Sequence, residues 1–151
     1  MIKIICVGKL KEQYLKDAIN EYLKRLGKYT KIVIIEVNDV SNGDINTILK
    51  KEKEEIFKFI EQKDYVITLE IDGNPLNSVE LAKKIDNIYL GYSNITFIIG
   101  GSYGLDDELK QRANYKLSFS KLTFPHQLFR VMLLEQIYRA FKINNNEEYH
   151  K

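Results

Sequence analysis

The residues best placed to do chemistry lie in FIIGGSYGLDDEL, Phe97 to Leu109. There an apolar run meets Gly100-Gly101-Ser102-Tyr103-Gly104 and then an acidic helix start. A strand, a tight turn and a helix in that order commonly turn backbone N–H groups toward a ligand. The spacing argues against two nucleotide chemistries. A dinucleotide fingerprint needs G-x-G-x-x-G after an early strand, with an acidic residue on the next one. Here the glycines stand late in the chain in a different pattern. A phosphate loop needs Lys-Ser or Lys-Thr after its last glycine, and Leu105-Asp106 holds that place. Asp106, Asp107 and Glu108 would also repel an arriving phosphate. The turn suits a ligand with a positive or neutral contact atom, and a tight turn without any ligand fits the same residues.

The chain has two histidines to offer for proton transfer near neutrality. His126 follows Pro125 at a predicted helix start, where the dipole disfavours an imidazolium, and reads as structural or pocket-lining. His150 lies in the tail NNNEEYHK, which has no apolar periodicity and by itself reads as a frayed end. The single cysteine, Cys6, sits in an apolar run and reads as a small buried thiol rather than a nucleophile.

The elements that must position these residues alternate in type. Strands are predicted at 1–7, 31–37, 64–71, 94–99 and 115–120, each rich in Ile, Val or Leu. Helices are predicted at 12–26, closed by Gly27, and at 45–62. A third runs from Asn77, with Glu80 placed for a capping box, to about Tyr89. Another follows the acidic start at 106–108, and the longest spans 125–143, with Pro125 suited to a first helical position. This pattern predicts an α/β fold, a mostly parallel sheet with helices on both faces. Ligands in such folds sit at the carboxyl ends of strands. That puts three stretches in play: Leu69–Pro75, Gly100–Gly104 and Phe119–His126.

At 151 residues without repeats or linkers, one domain over 1–151 is expected. With 44% hydrophobic and 29% charged residues, the composition is that of an ordinary globular protein. No apolar run is long enough to cross a bilayer, no signal peptide is visible, and a cytoplasmic location is expected. Charge is uneven along the chain. Residues 1–35 carry eight Lys/Arg against three Asp/Glu, residues 36–80 five against eleven, and residues 81–151 ten against seven. Two basic ends flanking an acidic middle permit a phosphate-binding face if the ends meet, and solvated helix surfaces account for them equally.

The C-terminal third, LSFSKLTFPHQLFRVMLLEQIYRAFKI, is apolar around most of its helix, with only a narrow polar stripe. Such a helix needs cover on nearly all sides: the sheet on one and, by expectation, a second subunit on the other. Glu135 and Arg139 either pair at their four-residue spacing or leave Arg139 free for RNA. This segment, with IIGGSYGL, the opening VGKLKE, ITLEIDG and the terminal Tyr149-His150-Lys151, closely resembles the ribosomal RNA large-subunit methyltransferase H family. The likeness covers essentially the whole chain.

The resemblance implies a C-terminal trefoil knot of the SPOUT type and a homodimer. It also implies S-adenosylmethionine as methyl donor, no metal, and methylation of N3 of a pseudouridine in 23S rRNA of the assembled ribosome. A ribosome-binding or assembly factor without turnover is the alternative on the same fold. On matching positions the donor contacts fall at Leu69, at Gly100, and at Phe119, Ser120, Lys121, Leu122, Thr123 and Phe124. Taken without the family, the apolar members of that set read as core, and Thr123 as a cap for the last helix. The resemblance makes Tyr149 and His150 the residues that complete the catalytic site, in their own chain or across the dimer. Arg130, Arg139, Lys142, Lys151, Lys9 and Lys11 are the expected contacts to RNA phosphates, which would make binding salt-dependent.

Overall fold

In the computed structural model, which describes residues 1–151, five strands form one all-parallel sheet in the order β2-β1-β4-β3-β5. They are β1 (Ile2–Val7), β2 (Ile32–Val37), β3 (Tyr65–Pro75), β4 (Ile95–Ile99) and β5 (Tyr115–Ser118). The helices are α1 (Gln13–Leu26), α2 (Ile45–Phe57), α3 (Ser78–Tyr89), α4 (Asp107–Arg112) and α5 (His126–Asn144). Alternation along the central strands divides the apolar side chains between two faces. Ile2, Ile4, Cys6, Phe97 and Ile99 pack under α1, α3 and α5 in the larger core. Ile5, Val7, Val66 and Ile98 pack with Ile56 of α2 and Leu109 of α4 in the smaller one. The predicted α/β fold is the observed one.

Boundaries match closely, and the departures have causes. The capping box at Asn77 and Glu80 forms as expected, with bonds of 2.8 and 2.9 Å. Pro125 takes the N-cap of α5 rather than its first turn, and Thr123 caps nothing. α2 stops at Phe57, five residues short of the expected Gln62. Its continuation is drawn away by a buried ion pair: Lys3 Nζ donates to the Phe59 carbonyl (2.8 Å), and Asp64 Oδ2 accepts from the Glu61 N–H (2.9 Å).

β3 does not end at Asp72-Gly73-Asn74-Pro75. Leu117 of β5 pairs with both Leu69 and Asn74, so residues 70–73 loop out between two paired segments. β5 stops at Ser118, whose hydroxyl turns to the Ile71 carbonyl (2.8 Å) and the Ser120 carbonyl (3.2 Å).

The last crossover sets the site. β5 lies at one edge, paired to β3 alone, yet α5 begins beside the end of β1, three strands away. There Gln127 Oε1 accepts from the Lys11 N–H (3.2 Å), and Arg130 Nη2 donates to the Gly8 carbonyl (2.7 Å). Residues 119–125 therefore cross the carboxyl ends of β3 and β4. α5 then packs on α1 and α3. Its outer side is not covered by this chain: Leu128 is exposed, and Val131 and Met132 are half-buried.

Lys3 is the one charge inside β1. Its ammonium meets Asp64 Oδ2 at 2.6 Å, with both side chains nearly inaccessible, and Thr96 Oγ1 donates to the same oxygen (3.1 Å). Burial would raise the Asp64 carboxyl, but Lys3 and the Glu61 N–H outweigh it and hold it below its ordinary value. A depressed folded-state value contributes stability above the unfolded range near pH ~4, lost as pH falls through the folded value. Removing one partner of a buried pair costs about 3–5 kcal/mol. Lys3→Met should lose that much in urea unfolding, and Lys3→Met combined with Asp64→Leu should recover most of it. The double variant should also lose the part of the acid-side drop in stability that Asp64 contributes.

Candidate functional site

The three strand-end stretches meet around one cavity of about 280 Å³. The β3 excursion contributes Leu69, Glu70, Ile71 and Asp72. The turn after β4 contributes Gly100, Gly101, Ser102 and Gly104. The crossing segment contributes Phe119, Ser120, Leu122, Thr123 and Phe124. His126 and Phe129 of α5 and Lys110 of α4 complete the wall.

Each wall has a local reason for its shape. A Cβ on Gly100 would stand 2.5 Å from the Gly104 carbonyl oxygen, so the turn folds on itself only with glycine there. Gly104 has φ +81° and open space around its Cα; it is needed for backbone conformation, not for room. Asp106 caps α4 by accepting from the Glu108 N–H (2.8 Å), and Glu108 pairs with Lys53 (3.2 Å). Those acids serve the helix and do not line the cavity. In the crossing segment, Ser120 Oγ accepts from the Leu122 N–H (3.0 Å). Phe129 stacks at a tilt on Phe119 (4.7 Å) and Phe124 (6.0 Å), fixing an apolar side.

The β3 excursion brings two carboxylates to the wall, one of them paired with Lys110. Glu70 accepts from Thr68 Oγ1 (2.6 Å) and lies 3.8 Å from the Lys110 ammonium, while Asp72 has no ion pair. Aromatic walls facing carboxylates accommodate a flat ring joined to a cationic centre.

Of the expected donor-contact residues, all line the cavity except Lys121, which is exposed beside it. Sequence reasoning flagged the stretch 69–75 but singled out only Leu69, missing Glu70, Ile71 and Asp72. The signal available was the Asp-Gly-Asn-Pro cluster, taken there as a strand end. Cys6 matches its expectation: burial pushes its thiol up to about 12 even though Arg130 opposes the rise.

Tyr149 and His150 are not part of this chain's cavity. The tail lies instead on a shelf formed by α1 and α5, and it is not frayed. Glu147 accepts from Tyr29 Oη (2.8 Å) and Lys142 Nζ (3.0 Å), and these bonds hold its carboxyl below its ordinary value. Tyr149 packs edge-on against Tyr138 at 4.9 Å, beneath the Arg139 guanidinium at 4.7 Å. Arg139 Nη1 stands 3.1 Å from His150 Nδ1. A guanidinium can only donate, so Nδ1 is the acceptor in this contact.

The basic residues expected at RNA divide into two groups. Lys9, Lys11 and Lys151 are exposed. Arg130 requires correction: it is 2% exposed, with Nη1 on Glu36 (2.6 Å) and Nη2 on the Val7 and Gly8 carbonyls. Arg139 is paired to Glu135 at 2.6 Å, the first of the two arrangements its spacing allowed, and Lys142 to Glu147. The two basic ends do meet, since α1 packs on α5, but much of their charge is neutralised locally.

Fold and cavity together define an α/β protein with a cavity at the carboxyl ends of its strands. A family model described as "Predicted SPOUT methyltransferase" matches residues 1–150, and the chain belongs to that family. Proteins named "Ribosomal RNA large subunit methyltransferase H" from Clostridium novyi (strain NT) and Clostridium botulinum (strain Alaska E43 / Type E3) are each 55% identical to it, over 99% of both chains. Among solved structures, "a probable methylase family protein" from Haemophilus influenzae Rd KW20 shares the fold. It has a TM-score of 0.61 at 14% identity, covering 99% of this chain and 70% of the other.

The turn geometry separates two glycines by mechanism. Gly100→Ala forces backbone apart and should cost about 3 kcal/mol, whereas Gly104→Ala only strains φ and should cost about 1 kcal/mol. Urea unfolding of both variants measures the order; equal losses would contradict the close approach at Gly100.

Proposed function

We propose that this chain is an S-adenosylmethionine-dependent methyltransferase acting, as a cytoplasmic homodimer, on N3 of a pseudouridine in 23S rRNA of the assembled ribosome. The observation that carries the reading is the convergence of three strand-end segments on one cavity with aromatic walls and two carboxylates. The residues present fit the donor. Phe119, Phe124 and Phe129 offer faces to an adenine ring, the Gly100–Gly104 turn offers close backbone, and Glu70 and Asp72 face a sulfonium. When bound, the donor supplies an activated methyl whose leaving group is a neutral thioether. The crossing of residues 119–125 over neighbouring strand ends is the arrangement a C-terminal trefoil knot would use.

The protein's own task is alignment and proton removal. Holding donor and acceptor in line converts an encounter into a first-order step. The N3 proton must leave as the methyl arrives; with Nδ1 taken up by Arg139, His150 would orient the acceptor through its other ring nitrogen, and would take the proton itself only once Arg139 releases Nδ1. Because Tyr149 and His150 stand apart from their own chain's cavity, they would serve the cavity of a second copy. The uncovered side of α5 and the exposed Leu122 and Leu128 supply apolar surface for that copy. Lys9, Lys11 and Lys151 remain the candidates for RNA phosphates, and recognition would rest on the shape of a folded rRNA site rather than on a read duplex.

Calorimetry with the donor, and single-turnover transfer of labelled methyl to ribosomes lacking the modification, test the reading. His150→Ala should slow transfer by about 10²–10⁴-fold and leave donor affinity near wild type. Mass mapping of the product should place the methyl on N3 of pseudouridine. Donor binding without any transfer would instead support an assembly factor, and equal losses in binding and transfer would remove His150 from its role.

A further inference from the structure

Among the buried and half-buried cations, one has neither a carboxylate nor a hydrogen-bond acceptor. Lys3, Lys53, Lys110, Arg130, Arg139 and Lys142 each meet a carboxylate, and Arg112 donates to backbone carbonyls. Lys84 of α3 meets only rings. Its ammonium stands 3.7 Å from the centroid of Tyr115 and 5.8 Å from that of Tyr65. Tyr65 in turn meets Tyr92 edge-on at 5.1 Å. Covering a charge without pairing it costs free energy, which an arriving anion would recover.

These four residues line a groove of about 570 Å³. Tyr65 and Tyr115 open β3 and β5, so the groove lies at the amino ends of those strands. Along β3 it is about 13 Å from Leu69 at the donor cavity. Tyr92 is 38% exposed, and Lys83, also in the wall, is exposed and in no ion pair. The one carboxylate of the wall, Glu80, is engaged at the start of α3, where it accepts from the Asn77 N–H (2.9 Å). No residue of α5 takes part, so the groove is separate from the surface proposed for a second copy. An apolar protein partner would bury Lys84 further with no counter-charge, and an acidic peptide would have no use for three rings. A single nucleic-acid strand uses both, since bases stack on aromatic faces and phosphates pair with lysines.

We propose that this groove is a second RNA contact, holding an unpaired nucleotide with its base against Tyr92 and its phosphate on Lys83 and Lys84. That the nucleotide belongs to rRNA rests on the function proposed above; the chemistry of the groove does not. The groove touches no reacting atom, so its variants should keep the donor affinity of the wild type.

Fluorescence anisotropy with a labelled single-stranded oligouridylate, on the full chain, is the test. Lys84→Met keeps an aliphatic stem over Tyr115 and removes the charge. The slope of log K against log salt should become shallower by about 0.7 in that variant, and Lys84→Arg should keep the wild-type slope. Tyr92→Ala should weaken binding at least about fivefold. Gly91 lies in the same wall, and a Cβ there would meet nothing within 4 Å, so a side chain can be added without disturbing the fold. Gly91→Asp should weaken binding about fivefold, and Gly91→Asn far less. A wild type that does not bind the oligomer, wild-type affinity in Tyr92→Ala and Gly91→Asp, or an unchanged salt slope in Lys84→Met would overturn the proposal. So would variants that lose co-sedimentation with ribosomes yet keep the oligomer, an outcome that assigns the groove to a protein. If the oligomer is held as expected but the wild type transfers no methyl to ribosomes, the functional reading fails and the groove stands.

Discussion

A guanidinium ties the two ends of the chain together at the point where the sheet meets the cavity. The carbonyls of Val7 and Gly8 lie where β1 runs out of pairing, and buried carbonyls of that kind must find donors. Arg130 reaches both from the second turn of α5 (3.2 and 2.7 Å), while its Nη1 holds Glu36, which also accepts from the Leu10 N–H at 2.8 Å. One planar side chain thus fixes the end of β1, the edge strand β2 and the start of the last helix. A lysine has one compact donor head and could not span these partners. With α5 anchored beside β1 and β5 anchored to β3, residues 119–125 have no path except across the intervening strand ends. The cavity is the space left under that crossing.

Other features follow from the same constraint. Because the crossing segment roofs the site, Phe119 and Phe124 point back toward α5, where Phe129 stacks on them. Because β3 must bring its loop toward the same place, its pairing with β5 skips four residues, and Ser118 closes the gap through the Ile71 carbonyl. The amino ends of the strands carry a second polar anchor, Lys3–Asp64, on the face shared with α2 and α4. Each anchor centres on a buried charge, Arg130 or Lys3, that would be left without its counter-charge if its partner were removed.

Much of this architecture was legible, and the rest was not for identifiable reasons. Strand and helix order followed from apolar periodicity, since both faces of the sheet are covered and its central strands are mostly apolar. The three strand-end stretches were found from a general rule about such sheets, and they do converge. Arg130 was misread because a polar residue on a helix normally faces water; only the crossover places it against carbonyls more than 120 residues earlier. Nothing near Lys3 in the sequence points to its role, because its partner lies beyond two intervening helices. The tail carried no periodic signal because it is held by charge and aromatic contacts, which leave no such pattern.

That tail shows how weak contacts can act together. Exposed ion pairs contribute little singly, and Glu147 with Lys142 and Lys28 would not by themselves hold seven terminal residues. Here the acid also accepts from Tyr29 Oη, Tyr29 stacks on Phe141 (5.7 Å), and Tyr138 meets the rings of Tyr22, Tyr29 and Tyr149. Aromatic pairs add about 0.5–1.5 kcal/mol each beyond their burial. Of the cations above those rings, Arg25 and Arg139 are held by Glu21 and Glu135 on their own helices, and Lys28 and Lys142 by Glu147 of the tail, so shelf and tail lock each other. A segment fixed this way has already lost its conformational entropy, which lowers the ordering cost of any contact it makes. The polar stripe of α5 thus serves a purpose that solvation alone would not require: it keeps Tyr149 and His150 in one place.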